Sequence, residues 1–127
     1  MKKQTKFIAL KKLFAILHGP KGCLWDKKQT HKSLIPYLRE EAEEFIQTVK
    51  SGNNIHMKEE LGDILLQVMF HAQIAFKTRK FDIEDVIDTL IKKLKRRHPH
   101  VFGKAKVKSA KEIIFNWHKI KAREKKH

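Results

Sequence analysis

The sequence predicts an all-α fold: a helical bundle of four to five helices, built on an antiparallel helix hairpin and oligomerising through its central helices. Three observations carry this. The 127 residues hold only three prolines and five glycines. β-Branched alternation is scarce. Two long segments with apolar residues at helical spacing are joined by only Ser51-Gly52-Asn53-Asn54. With 41% apolar and 34% charged residues, 1–127 suits one domain and excludes a large multidomain enzyme.

The first helix is predicted over about Thr5 to His18, ended by Gly19-Pro20, and Gly22 to Lys28 reads as a loop. The second runs from Thr30 or Ser33 to about Lys50, and Pro36 fits its first turn only if Ser33 is the cap. Leu34, Leu38, Ala42, Phe45, Ile46 and Val49 share one arc of it, a core stripe. The third helix starts after Asn54 and continues to about Arg79. Leu61, Leu65, Val68, Met69, Ala72 and Phe76 form its stripe, while Phe70 and Ile74 make the opposite side apolar too. A helix apolar on both sides belongs inside a bundle or at a subunit contact. The fourth follows an Asp82 cap and reaches about Arg97, before His98-Pro99-His100. A last helix begins at Ser109, where Ser109 and Glu112 have capping-box spacing.

Several classes drop out. The longest apolar region, Ile64 to Phe76, is broken by Gln67, His71 and Gln73, so no membrane span is expected. Lys2 and Lys3 precede a short apolar run, but Lys11 and Lys12 interrupt it without a cleavage pattern, and a cytoplasmic protein is expected. The single cysteine, Cys23, forms no internal disulfide and no thiolate metal cluster.

The formal charge of +15 is unevenly spread. Residues 1–32 hold nine basic and one acidic residue, and residues 91–127 hold fourteen basic and two acidic. The middle holds six basic and eleven acidic, a net of −5. Basic ends suit a polyanionic partner, whereas an acidic centre repels one unless a cation intervenes.

That centre carries the chemistry. Glu40-Glu41-Ala42-Glu43-Glu44 lies on the second helix and Glu59-Glu60-Leu61-Gly62-Asp63 on the third. Glu41 with Glu44, and Glu60 with Asp63, are i,i+3 pairs, and a short hairpin brings both pairs near its connected end. A half-buried carboxylate needs a partner, and oxygen-only ligands favour Mg²⁺ or Mn²⁺ over Zn²⁺. A di-iron bundle wants Glu-x-x-His on each of two helices, and here that spacing occurs only as Glu124 to His127. Gly62 suggests close approach of the second helix or of a ligand. Mg²⁺ usually bridges to substrate phosphates, which links the acidic centre to the basic ends. Lys93, Arg96 and Arg97 share one face of the fourth helix and suit phosphate contacts. Trp25 and Trp117 are candidates for stacking a base. His31, His71, His98 and His100 show no ligand spacing, and hydrogen bonding is the expectation for each.

Gly22-Cys23-Leu24-Trp25-Asp26, Gln29-Thr30-His31, Tyr37 through Glu44, Glu59 through Asp63, Lys93 through Gly103, Asn116-Trp117 and Lys121 together resemble the MazG family of nucleoside triphosphate pyrophosphohydrolases. The resemblance covers about residues 10–126, and Arg96-Arg97-His98-Pro99-His100-Val101-Phe102-Gly103 is its most specific run. It implies Mg²⁺-dependent hydrolysis of NTP or dNTP to nucleoside monophosphate and pyrophosphate, in nucleotide-pool housekeeping. Glu41, Glu44, Glu60 and Asp63 would be metal ligands, with Lys93, Arg96, Arg97 and Trp117 contacting the nucleotide. A homodimer or higher homo-oligomer is implied as well. The chain departs from the family at Leu24 for Pro, at Glu43 for Tyr, and at His118-Lys119 for an acidic pair.

The expected mechanism is in-line attack by water at a metal-polarised α-phosphorus, with Lys and Arg stabilising the departing pyrophosphate. Glu41 is a catalytic as well as a ligand candidate, and Glu40 is either the water-activating base or a second-metal ligand. The competing readings are a basic helical nucleic-acid binder, which accounts for +15 but not for the acidic hairpin, and a catalytically silent regulatory bundle.

Overall fold

A computed structural model describes residues 5–125. Among them are seven helices: α1 (Lys6–Leu17), α2 (Leu24–Lys28), α3 (Ile35–Ser51), α4 (Asn54–Lys77), α5 (Ile83–Arg97), α6 (Pro99–Phe102) and α7 (Ala110–Lys125). The chain divides into two compact units, Met1–Ile83 and Glu84–His127. The five long helices are those expected from the apolar stripes, breakers and caps in the sequence. No helix among the described residues is long and apolar enough to cross a membrane.

In the first unit, the Thr5 side chain caps α1 by accepting the Ile8 N–H at 3.2 Å. Gly22 lies so close to the end of α1 that a Cβ there would sit 2.0 Å from the Leu17 carbonyl oxygen. The same carbonyl accepts the Cys23 N–H at 2.8 Å and turns the chain into α2. This five-residue helix replaces the predicted loop over Gly22 to Lys28. It is too short to show a period, and its Trp25 packs edge-on against Tyr37 at 5.7 Å and Phe70 at 6.0 Å.

Ser33 does not cap α3. Its hydroxyl accepts the Thr30 N–H at 2.8 Å and donates to Gln29 Oε1 at 2.7 Å, which locks a turn and leaves Leu34 as the capping residue. Pro36 still falls in the first turn, where a missing N–H costs nothing. At the other end Gly52 adopts φ 72°, a left-handed cap that side chains disfavour, and Asn53 accepts the His56 N–H at 3.1 Å. A link of two residues makes α3 and α4 antiparallel neighbours. His31, just before α3, meets His71, while Glu41 meets Glu60, so partners retreat along α4 as the chain advances.

The core of this unit is Phe14, Leu34, Met69 and Phe70, with Phe7, Leu10, Ile74 and Ile83 packed around it. Phe14 stands edge-on to Phe70 at 5.7 Å and stacks on His18 at 5.8 Å. The predicted α4 stripe is only partly covered. Met69 and Ala72 are buried, but Leu61 is 50% and Phe76 59% exposed, as Leu65 and Val68 also are in large part. The deeper side is the one carrying Gln67 and Phe70, because α1 packs there. On α3, likewise, Leu34 is buried whereas Leu38, Ile46 and Val49 are exposed.

In the second unit, α5 has Glu84 and Asp85 in its first turn and Lys95, Arg96 and Arg97 in its last, matching the helix dipole. The short α6 begins at Pro99 and was not expected; one turn has no periodicity to read. Ser109 Oγ accepts the Glu112 N–H at 3.2 Å, and Glu112 in return accepts the Lys108 N–H at 3.0 Å, a capping box closed one residue early.

Removing the Phe14 ring, which is 2% exposed, leaves a cavity against Phe70. Phe14→Ala is expected to cost about 3–5 kcal/mol, and Ile16→Ala, on the exposed side of α1, less than about 0.5 kcal/mol. Urea denaturation of the two variants checks the contrast.

Candidate active site

Each acidic pair follows from helical spacing: residues three apart rise on the same side of a helix. The antiparallel hairpin then lays the α3 pair against the α4 pair. One carboxylate oxygen each from Glu41, Glu60 and Asp63 falls within 4.8 Å of the others, and all three residues are half-buried. Glu44 stands on the exposed rim; its charge acts on Glu41 and Glu60, and it is hydrogen-bonded to Glu60. Glu40 is exposed and outside this group. The cluster lies mid-hairpin rather than beside the connection, since eleven residues of helix, roughly 16 Å, separate Glu41 from Gly52.

The electrostatics follow from crowding. Glu41 is pushed up from 4.5 to about 7, first by partial burial, then by the charges of Asp63 and Glu44, and by its hydrogen bond to Glu60. Glu60 is also raised, chiefly by partial burial, although accepting the Glu41 proton pulls it the other way. One proton shared between Glu41 and Glu60 thus relieves the metal-free cluster. Glu41 Oε2 and Glu60 Oε2 are buried without a protein hydrogen-bond partner. Gln67, 5% exposed and one turn beyond Asp63 on α4, has an unpartnered Oε1 as well. Convergent carboxylate oxygens with unused lone pairs fit a hard divalent cation. Gly62, expected at a close approach, faces open space instead, for a Cβ there meets nothing within 4 Å.

Two turns further along α4, His71 Nδ1 lies 2.7 Å from His31 Nδ1, with rings parallel to within 4°. Burial and then the His31 charge lower the His71 pKa. Forty residues separate the two histidines in sequence, so no local spacing announces the pair. Trp25 belongs to the aromatic packing of the first unit.

The predicted cations lie in the second unit. Lys93 is half-buried on α5. Arg96 and Arg97 both engage Glu124, and the Arg97 guanidinium carbon sits 5.2 Å from the centre of the Trp117 ring. His98 meets that ring edge-on at 5.2 Å and hydrogen-bonds the Leu94 carbonyl at 2.7 Å. Glu124 is therefore occupied by arginines, and His127, the other half of the one Glu-x-x-His spacing, lies outside the described residues.

The profile of the MazG nucleotide pyrophosphohydrolase domain matches residues 29–102. The chain is 58% identical over 109 residues to the nucleoside triphosphate pyrophosphohydrolase/pyrophosphatase MazG of Thermotoga maritima, covering 86% of this chain and 41% of that protein. It is 38% identical over 104 residues to the nucleoside triphosphate pyrophosphohydrolase of Escherichia coli K12, covering 82% and 40% respectively. The crystal structure of a mazG-related protein from Thermotoga maritima superposes with a TM-score of 0.71 at 25% identity, covering 92% of this chain and 97% of that one. The chain spans about two fifths of the length of these two curated relatives.

A carboxyl whose pKa is raised on folding binds its proton more tightly in the folded state, so its contribution to stability is complete below about pH 4.5 and is lost as pH rises through about 7. In chelator, the melting temperature is expected to fall over that interval, and Glu41→Gln to flatten the fall. Thermal denaturation at several pH values checks both; an unchanged slope in the variant contradicts the assignment.

Proposed function

This chain belongs to the MazG nucleotide pyrophosphohydrolase family, and from that premise we propose that it hydrolyses nucleoside triphosphates, ribo or deoxy, to the monophosphate and pyrophosphate. The observation that carries the proposal is the convergence of Glu41, Glu60 and Asp63 from two helices, with unpartnered oxygens on Glu41 and Glu60. The two units serve one domain in this reading, working in the cytoplasm to clear the nucleotide pool.

Glu41, Glu44, Glu60 and Asp63 would hold Mg²⁺, or Mn²⁺ in its place. Bound there, the ion would neutralise charge along the triphosphate and make the α-phosphorus more electrophilic. Water forms the new bond to the α-phosphorus, and the bond from that phosphorus to the bridging oxygen breaks, so pyrophosphate departs. The water proton passes to a carboxylate, with Glu41 and the adjacent exposed Glu40 as the acceptors. Lys93, Arg96, Arg97 and Trp117 are the proposed nucleotide contacts, the cations opposing charge that builds on the leaving group.

The uncovered side of the hairpin supports a homo-oligomer. Leu38, Ile46 and Val49 on α3, with Leu61, Leu65 and Val68 on α4, expose apolar side chains at helical spacing. Each is already about half covered, so burying the remainder contributes roughly 0.7–1.5 kcal/mol per side chain, which a second copy of the same face would supply.

With Mg²⁺, each common NTP and dNTP is expected to give monophosphate and pyrophosphate; diphosphate and phosphate would contradict the reading. Glu60→Gln and Asp63→Asn should each lower kcat/KM by about 10²-fold or more, and Glu40→Gln should slow turnover at saturating Mg²⁺ by at least about tenfold. For the assembly, Leu65→Asp is expected to shift the mass in light scattering to that of a single chain.

A further inference from the structure

Glu124, near the end of α7, divides its two oxygens between adjacent arginines of α5. Oε2 accepts the Arg96 Nε–H, while Oε1 accepts the Arg97 Nε–H at 3.2 Å and an Arg97 Nη2–H at 2.7 Å. The two arginines are held in different ways. Arg97 has a side chain only 12% exposed, with one edge on Glu124 and its plane against Trp117. Arg96 is 49% exposed and is bound to Glu124 through Nε, which leaves its two Nη groups without a partner among the described residues. Beside it opens a cavity of about 350 Å³ lined by Arg96, Pro99, Ile120, Arg123 and Glu124. The hydrogen bonds from Arg97 and Arg96 hold the Glu124 carboxyl down at about 2, so it stays ionised throughout the neutral range.

A guanidinium grips phosphate best through two parallel N–H groups, so affinity depends on which edge it offers. Two arginines side by side also repel, and without a carboxylate between them both would swing outward. We propose that Glu124 is a positioning residue that assigns the two arginines separate tasks: Arg97 is an internal strut against Trp117, and Arg96 presents its Nη edge, with Arg123, to a phosphate group in the neighbouring cavity. This revises both the sequence expectation and the contact set proposed above, in which Arg96 and Arg97 are equivalent nucleotide contacts and neither Arg123 nor Glu124 takes part: Arg97 and Trp117 become the support, and Arg96 the contact. The identity of that phosphate as part of a nucleotide rests on the function proposed above; the division of labour rests on the second unit alone.

The test uses the whole chain and two readouts: calorimetric binding of inorganic pyrophosphate with Mg²⁺, and NTP turnover resolved into kcat and KM. Arg96→Ala is expected to weaken pyrophosphate binding by about tenfold or more at an unchanged melting temperature, whereas Arg97→Ala lowers the melting temperature. Glu124→Ala and the near-isosteric Glu124→Gln should weaken pyrophosphate by about tenfold and raise KM in proportion, with kcat kept within about threefold and partial rescue by Glu124→Asp. Pyrophosphate binding in both Glu124 variants as tight as wild type, or tighter, overturns the proposal, because Glu124 is then idle or competes with the ligand. So does a wild-type chain that binds no pyrophosphate, or affinity lost in Arg97→Ala but not in Arg96→Ala. If the wild type binds pyrophosphate with the expected order of variants yet turns over no NTP, the proposed function fails and the role of Glu124 stands.

Discussion

Carboxylates pressed together across two helices repel one another, and the first unit is organised around that repulsion. The α3–α4 pairing, closed by Gly52 and anchored by Leu34, Met69 and Phe70, holds Glu41, Glu60 and Asp63 within 4.8 Å. A shared proton on the Glu41–Glu60 pair is the relief available to the chain itself, and a divalent cation is the stronger one. The aromatic packing of Phe14, His18 and Phe70 belongs to the same account, because it stiffens α4 behind the residues that carry the cluster. Stability is thus invested in holding a site that is unfavourable by itself, the relation expected where a fold preorganises a ligand set.

The second unit balances charge the opposite way. Its basic excess gathers at the end of α5, where the helix dipole favours it, and Glu124 restrains the two most crowded members. Of the two pairs, that with Arg96 is the more exposed and contributes little to stability, but one carboxylate shared by two arginines has a geometric effect beyond its energy, since it selects which guanidinium edges remain free. Trp117, a stacking candidate from sequence, has Arg97 and His98 against its ring.

The apolar surface left open on α3 and α4 connects the fold to assembly. Chains of this size bury a limited fraction of their surface, and a long helix apolar on two sides needs cover on both. α1 covers the Phe70 side of α4, and the Leu61, Leu65 and Val68 side remains. The acidic cluster shares the Phe70 side of the same helix, two turns nearer its start, since Asp63 and Phe70 are seven residues apart, so core and candidate site lie along one side and the proposed contact on another.

Much of this was legible in the residues. Apolar stripes on two helices, with breakers and cap residues for the others, mark five helices to within a few positions, because helical spacing and end signals are local. The i,i+3 carboxylates and the short turn after Ser51 bring Glu41, Glu44, Glu60 and Asp63 together on paper, since helical geometry is local, and the structure gathers three of them while Glu44 stays on the exposed rim. Sequence could not show the single turns α2 and α6, which are shorter than the period that would reveal them, or that Ser33 spends its hydroxyl on Thr30 and Gln29. Nor could it rank the two sides of α4, for both are apolar and only the place of α1 decides which is covered. The His31–His71 pair and the grip of Glu124 on Arg96 and Arg97 join residues forty and more than twenty-five positions apart. The chain alone determined which side chains each helix offers; tertiary structure decided which of them meet, because contacts between helices depend on packing that no local spacing encodes.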